Sequence, residues 1–68
     1  MKKYYVNKNA QPTGEHEVHK SGCAWMPRLE NCLYLGEFYD GKAAVAKAKT
    51  IYPNSDGCKH CCPEAHTK

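Results

Sequence analysis

Three of this chain's five cysteines fall within five positions, in Asp56-Gly57-Cys58-Lys59-His60-Cys61-Cys62-Pro63. In a chain of 68 residues that cluster constrains the fold more than any other feature. A core this small contributes only a few kcal/mol of net stability, and domains of this size usually need a cross-link or a metal. Five is an odd number, so a framework made only of disulfides leaves one thiol over. The hydrophobic share of 41% suits a compact fold rather than a disordered tail. We therefore expect a single domain over residues 1–68, stapled through its cysteines.

The choice between metal and disulfide turns on the redox compartment. Lys2-Lys3 is followed by Tyr4-Tyr5-Val6, and Asn7-Lys8 then interrupt the apolar stretch. That is not the core of a signal peptide. No segment approaches the roughly 20 apolar residues of a membrane span. Read as a complete chain, the sequence predicts a cytoplasmic protein, where disulfides are rare and clustered cysteines bind metal or do chemistry. The disulfide alternative pairs Cys23 with Cys58 and Cys32 with Cys61 or Cys62.

Cys58-x₂-Cys61 is a metal half-site, because two intervening residues let both sulfurs converge on one ion from a tight turn. Zinc takes four ligands, so a second pair is required. His19-x₃-Cys23 supplies it, and Ser21-Gly22-Cys23 echoes Asp56-Gly57-Cys58. Glycine before each cysteine frees the backbone where a turn must approach an ion. The expected site is one Zn²⁺ on His19, Cys23, Cys58 and Cys61. Cys62-x₃-His66 is an alternate pair, replacing His19 or extending the site, although adjacent Cys61 and Cys62 would strain the backbone if both reached one ion. His16 and His60 are expected on the surface. Cys32 is expected to be a small buried hydrophobe.

Around these half-sites the pattern predicts an α+β domain. Lys2–Lys8 reads as a strand, Asn9–Gly14 as a turn and Glu15–Lys20 as the returning strand of a hairpin. Period two places His16 and Val18 on one face and Glu17 and His19 on the other. Trp25, Met26 and Leu29, in an irregular segment, are expected to cap the core. Cys32–Phe38 reads as a third strand with a bulge or close approach at Gly36. Asp40 is an N-cap for an amphipathic helix near Gly41–Tyr52, which Pro53 stops. Its apolar arc holds Ala44, Val45, Ala48, Ile51 and Tyr52. With Val6, Val18 and Leu35, the residues Val45, Ala48, Ile51 and Tyr52 are the expected core.

Ten Lys and Arg against seven Asp and Glu give a formal charge of +3. The lysines are spread along the chain, whereas nucleic-acid binders usually cluster theirs. The densest positive run is Lys42, Lys47 and Lys49 on the outer helix face, with Arg28 a further candidate, and this is the surface an anionic partner would touch. A lysine face of this kind is more often simply solvated. A closed four-ligand site is structural, so the expected function is a non-catalytic, zinc-stabilised module whose partner is a protein or a nucleic acid. Two alternatives stand beside it. One is metal handling (storage, sensing or delivery), with Cys62 and His66 as exchange ligands. The other is thiol redox chemistry at Cys58-x₂-Cys61, although no helix is expected to follow that motif and lower a thiol pKa.

Two resemblances accompany this reading. Tyr4-Tyr5-Val6-Asn7, Gly14–His19, Gly22-Cys23, Tyr34-Leu35-Gly36, Ala44-Val45, Ala48-Lys49, Tyr52, Asp56-Gly57-Cys58, Cys61-Cys62 and His66-Thr67 make the chain resemble a family of short, uncharacterised bacterial Cys/His-rich proteins. That likeness implies a free-standing bacterial protein and no particular activity. More locally, a half-site with three intervening residues, a strand, a helix ending in an aromatic residue and then Cys-x₂-Cys is similar to the zinc-binding domain of the Ada alkylation-repair protein. There the first ligand is a cysteine that accepts a methyl group from DNA phosphate. The matching position here is His19, so the likeness implies the zinc architecture and possible nucleic-acid contact, and not methyl transfer.

Overall fold

Alternating side chains build the first hairpin. In β1 (Lys2–Asn7) Tyr4 and Val6 are buried while Tyr5 between them faces the other way. β2 (His16–Lys20) returns antiparallel, with Tyr5 opposite His19 and Val6 opposite Val18. The turn between them closes through Gly14, whose φ of 97° requires a residue without a Cβ. β3 (Cys32–Phe38) lies antiparallel on the other side of β1. Its register shifts between Tyr4 and Tyr5, and Gly36 sits there at φ 119°. This is the bulge that the glycine predicts.

The computed structural model describes residues 1–67; Lys68, the last residue of the expected domain, lies outside them. The helix α1 (Gly41–Ala48) starts where expected. The Asp40 carboxylate accepts from the Ala43 amide at 3.0 Å, and Glu64 Oε2 accepts from the Gly41 amide at 2.7 Å. Two carboxylates thus cover amides that the first turn leaves unpaired. The helix ends four residues earlier than the pattern suggests. Past Lys49 the chain tightens: the amides of Thr50 and Ile51 bond the carbonyls of Lys47 and Ala48, three residues back. Thr50 Oγ1 also donates to the Lys47 carbonyl at 2.7 Å. The tightened turn rotates Ile51 out to 43% exposure, so it is not core. Tyr52 stays half-buried, packed against the core and stacked on His16.

A fourth strand was not anticipated. β4 (Ser55–Gly57) runs parallel to β2, with His16 opposite Ser55 and Val18 opposite Gly57. The result is a mixed four-stranded sheet in the order β3-β1-β2-β4 with one helix, an α+β fold. The helix face of the sheet carries Tyr4, Val6, Val18 and Leu35 against Ala44, Val45 and Ala48, joined by Cys62 and Ala65. No helix among the described residues is long and apolar enough to cross a membrane.

Candidate metal centre

β2 is buried on both faces. Val18 lies under the helix, and His19, one residue on, is 1% exposed on the opposite face. An imidazole buried this deeply needs partners for its ring nitrogens. One comes from β2 itself, and the others from two loops that leave neighbouring strand ends.

The first loop follows β2 directly. Gly22, at φ 89°, turns the chain, and the Cys23 amide bonds back to the Lys20 carbonyl. The second follows β4. Because β4 is parallel to β2, the residue after Gly57 falls beside His19, and the Cys58 amide bonds the Val18 carbonyl at 2.9 Å. A turn then closes from the Cys62 amide to the Cys58 carbonyl at 2.7 Å, which brings Cys61 inward. The 34 residues between Cys23 and Cys58 are therefore spent on β3, α1 and β4.

The four side chains meet. One ligand atom each from His19, Cys23, Cys58 and Cys61 lies within 4.8 Å of all the others. Cys23 Sγ and Cys58 Sγ are 4.0 Å apart, and Cys61 Sγ is 3.9 Å from His19 Nδ1. A tetrahedral ion with metal–sulfur bonds of about 2.3 Å sets its sulfurs about 3.8 Å apart. Three sulfurs and one imidazole at these spacings form a group that could hold a metal ion. The Lys20 amide points at Cys61 Sγ from 3.2 Å, a donor that favours a thiolate there. The other ring nitrogen of His19, Nε2, is 3.2 Å from Glu17 Oε1.

Burial pushes the Cys61 thiol well above its ordinary range, and the neighbouring thiols of Cys23, Cys62 and Cys58 push the same way, against the Lys20 amide. Burial also lowers the His19 imidazole, offset in part by Glu17. These shifts keep the proton on Cys61 Sγ and a second proton off the His19 ring until something stronger than a proton competes for them.

The alternate ligands lie elsewhere. Cys62 Sγ is 3.8 Å from Cys61 Sγ, but Cys62 is fully buried in the apolar core. His66 is held through Nδ1 by the Gly57 carbonyl at 3.0 Å and by Asp56 Oδ2 at 3.3 Å. Neither belongs to the four-atom group. All five cysteines are free, so neither disulfide of the alternative scheme is formed. Cys32 is buried and its thiol faces the Pro27 carbonyl at 3.8 Å, as a small hydrophobe would.

Three expectations of burial need correction. His16 is half-buried, with Nδ1 2.9 Å from the Asn7 carbonyl and its ring stacked on Tyr52 at 3.9 Å. Trp25 and Leu29 do not cap the core: they are 64% and 62% exposed. Trp25 instead stacks on exposed His60, with ring centroids 4.4 Å apart. That contact ties the loop bearing Cys23 to the loop bearing Cys58 and Cys61. No spacing rule signals it, because in the sequence Trp25 reads as a core cap and His60 as an isolated surface residue. The glycine echo also splits in two. Gly22 is needed for its backbone angle, whereas Gly57 lies within β4 and is needed for space. Lys42, Lys47 and Lys49 are exposed, as is Arg28, which pairs with Glu30 at 3.6 Å. Lys42 and Lys49 share a shallow cavity of about 350 Å³ with exposed Glu64 and buried Asp56, so the helix surface is mixed in charge.

Comparison with protein-family models, with curated proteins and with solved structures found no match.

Proposed function

We propose that the protein is a non-catalytic binding module whose fold depends on one Zn²⁺ held by His19 Nδ1 and the sulfurs of Cys23, Cys58 and Cys61. The observation that carries this reading is the convergence of four donor atoms, one from β2 and three from two loops far apart in sequence, within 4.8 Å. Thiolate-rich sets with one imidazole suit zinc, and a complete set of four protein ligands leaves no position for a reacting water. The size of the core supports the same reading. Its buried aliphatic side chains larger than alanine are Val6, Val18, Val45 and Leu35, with Leu33 partly buried beside them, each buried one contributing about 1.5–3 kcal/mol. That is little to hold four strands and a helix. Zinc binding to small structural sites contributes on the order of 10 kcal/mol, and that binding energy is folding energy.

The redox alternative is weaker on physical grounds. A reactive thiol needs thiolate character, and burial pushes Cys61 the other way. Cys61 is followed by a single 3-10 turn, Pro63–Ala65, rather than by an α-helix whose N-terminus could lower its pKa. Metal exchange through Cys62 would require drawing a fully buried side chain out of the core. A protein partner is favoured over nucleic acid, because exposed Glu64 lies beside Lys42 and Lys49 and interrupts the lysine surface. His19 at the first ligand position keeps the Ada-like reading to architecture, without methyl transfer.

Native and denaturing mass spectrometry tests the proposal. The wild type should carry one zinc per chain under native conditions and show the mass of five free thiols when denatured. Cys58→Ala/Cys61→Ala should lose zinc and fold together; full zinc occupancy in that variant would contradict the assignment. For the partner, labelled DNA and RNA are titrated at low salt against the wild type and a variant with Lys42, Lys47 and Lys49 changed to Glu. Binding by the wild type alone would establish the helix face as a phosphate surface.

A further inference from the structure

Glu17 and His19 are two residues apart on β2, so the pleat puts both side chains on the same face. Glu17 Oε1 lies 3.2 Å from His19 Nε2, while His19 Nδ1 lies 3.9 Å from Cys61 Sγ. The ring is therefore gripped at one nitrogen and presented at the other. A neutral imidazole carries one N–H and one lone pair, and a carboxylate can only accept. With Glu17 ionised, the proton sits on Nε2 and the lone pair on Nδ1 points at the three sulfurs.

We infer that Glu17 is a positioning residue for the metal centre: it selects the Nε2–H tautomer of His19 and fixes the ring so that Nδ1 is the ligand. The inference rests on the zinc reading above. It adds a residue that the half-site spacing does not reveal, since Glu17 looks like an ordinary solvated strand residue in the sequence. Its other side opens on a cavity of about 360 Å³ that Thr13 and Glu15 also line. Outer carboxylates of this kind raise the basicity of the bound imidazole, and their loss typically costs about 10–100-fold in metal affinity.

Glu15 provides an internal control. It carries the same charge and lines the same cavity, but its carboxylate accepts from Thr13 Oγ1 at 3.0 Å rather than from the ring. Removing it alters the electrostatic field and leaves the His19 contact in place.

The experiment measures Zn²⁺ affinity by competition with a chromophoric chelator for the full chain, Glu17→Ala, Glu17→Gln and Glu15→Gln. Ring ¹⁵N shifts of His19 are recorded on the zinc-loaded wild type. Affinity should fall about 10–100-fold in Glu17→Ala, less in Glu17→Gln, whose amide oxygen can still accept, and not at all in Glu15→Gln. The ring spectrum should place zinc on Nδ1 and the proton on Nε2, an outcome that a purely structural role for Glu17 would not require. Wild-type affinity in Glu17→Ala, an equal loss in Glu15→Gln, or zinc on Nε2 would each overturn the inference and leave the four-ligand site standing. A wild type that binds no zinc would overturn both. If Glu17→Ala fails to fold, Glu17→Gln carries the affinity test, and zinc on Nε2 in the wild-type ring spectrum would still overturn the inference.

Discussion

A Cβ on Gly57 would stand 2.9 Å from the main-chain carbon of Ala65 and from the Cys62 carbonyl oxygen. Both belong to the segment that folds back after Cys61, and neither is the end of a flexible side chain. Gly57→Ala should therefore push that segment away from β4 and lower the stability of the zinc-loaded protein by about 1–3 kcal/mol, the usual cost of overpacking. At Gly22 a Cβ meets nothing within 4 Å, but φ is 89°. Gly22→Ala should cost about 1–2 kcal/mol through backbone strain alone. Urea unfolding of the loaded proteins checks both, and a Gly57→Ala midpoint equal to wild type would refute the steric account. At this scale the sequence was legible where chemistry depends on spacing. Cys58, Cys61, Cys23 and His19 could be nominated because the ligand count and the intervals are set by the ion. Gly57, His16 and Trp25 could not be read, because their roles depend on what a distant segment places beside them: Ala65, Tyr52 and His60.

Among the elements, the hairpin, β3 and the start of α1 follow from patterns local to each segment. Tyr4 and Val6 alternate with Tyr5, Gly36 marks the bulge, and Asp40 caps the helix. The helix end was overestimated because Ile51 and Tyr52 continue the apolar arc on paper, while Thr50 and Ile51 already bond three residues back. Amide exchange should show the difference. Protection should run through Lys49, whose amide bonds the Val45 carbonyl, and drop at Thr50 and Ile51. Uniform protection to Tyr52 would mean that the helix runs on. β4 was illegible for a different reason. Ser55-Asp56-Gly57 has no apolar residue and low strand propensity, and it is a strand only because β2 lies alongside. That pairing is also what carries Cys58 to the site. The Cys58 amide, bonded to the Val18 carbonyl, should accordingly lose its protection when zinc is removed by a chelator.

For the molecule as a whole, the metal should reverse the response to alkali. In the metal-free protein burial holds the Cys61 thiol above its ordinary value of 9.0. A raised value means that stability is fully present below about 9 and is lost as pH climbs past it, because the unfolded chain ionises its thiol first. In the loaded protein the thiol is already a bound thiolate, so this alkaline loss disappears. On the acid side His19 is lowered from 6.5 by burial, so its contribution is lost in the metal-free protein as pH falls below that value. The loaded protein should lose more there, since protons displace zinc from all four ligands. Urea unfolding of both forms near pH 7 and pH 10 checks the sign; equal alkaline losses would contradict it. The α+β class could be read ahead of the structure because the hairpin, β3 and α1 each carry their own pattern. The meeting of the two half-sites required the β2–β4 pairing, which the sequence does not signal. The most direct test of the four-ligand centre is X-ray absorption at the zinc edge of the loaded protein. The account predicts three sulfurs at about 2.3 Å and one nitrogen at about 2.0 Å. Two sulfurs with two light atoms, or a water oxygen in the inner shell, would contradict it.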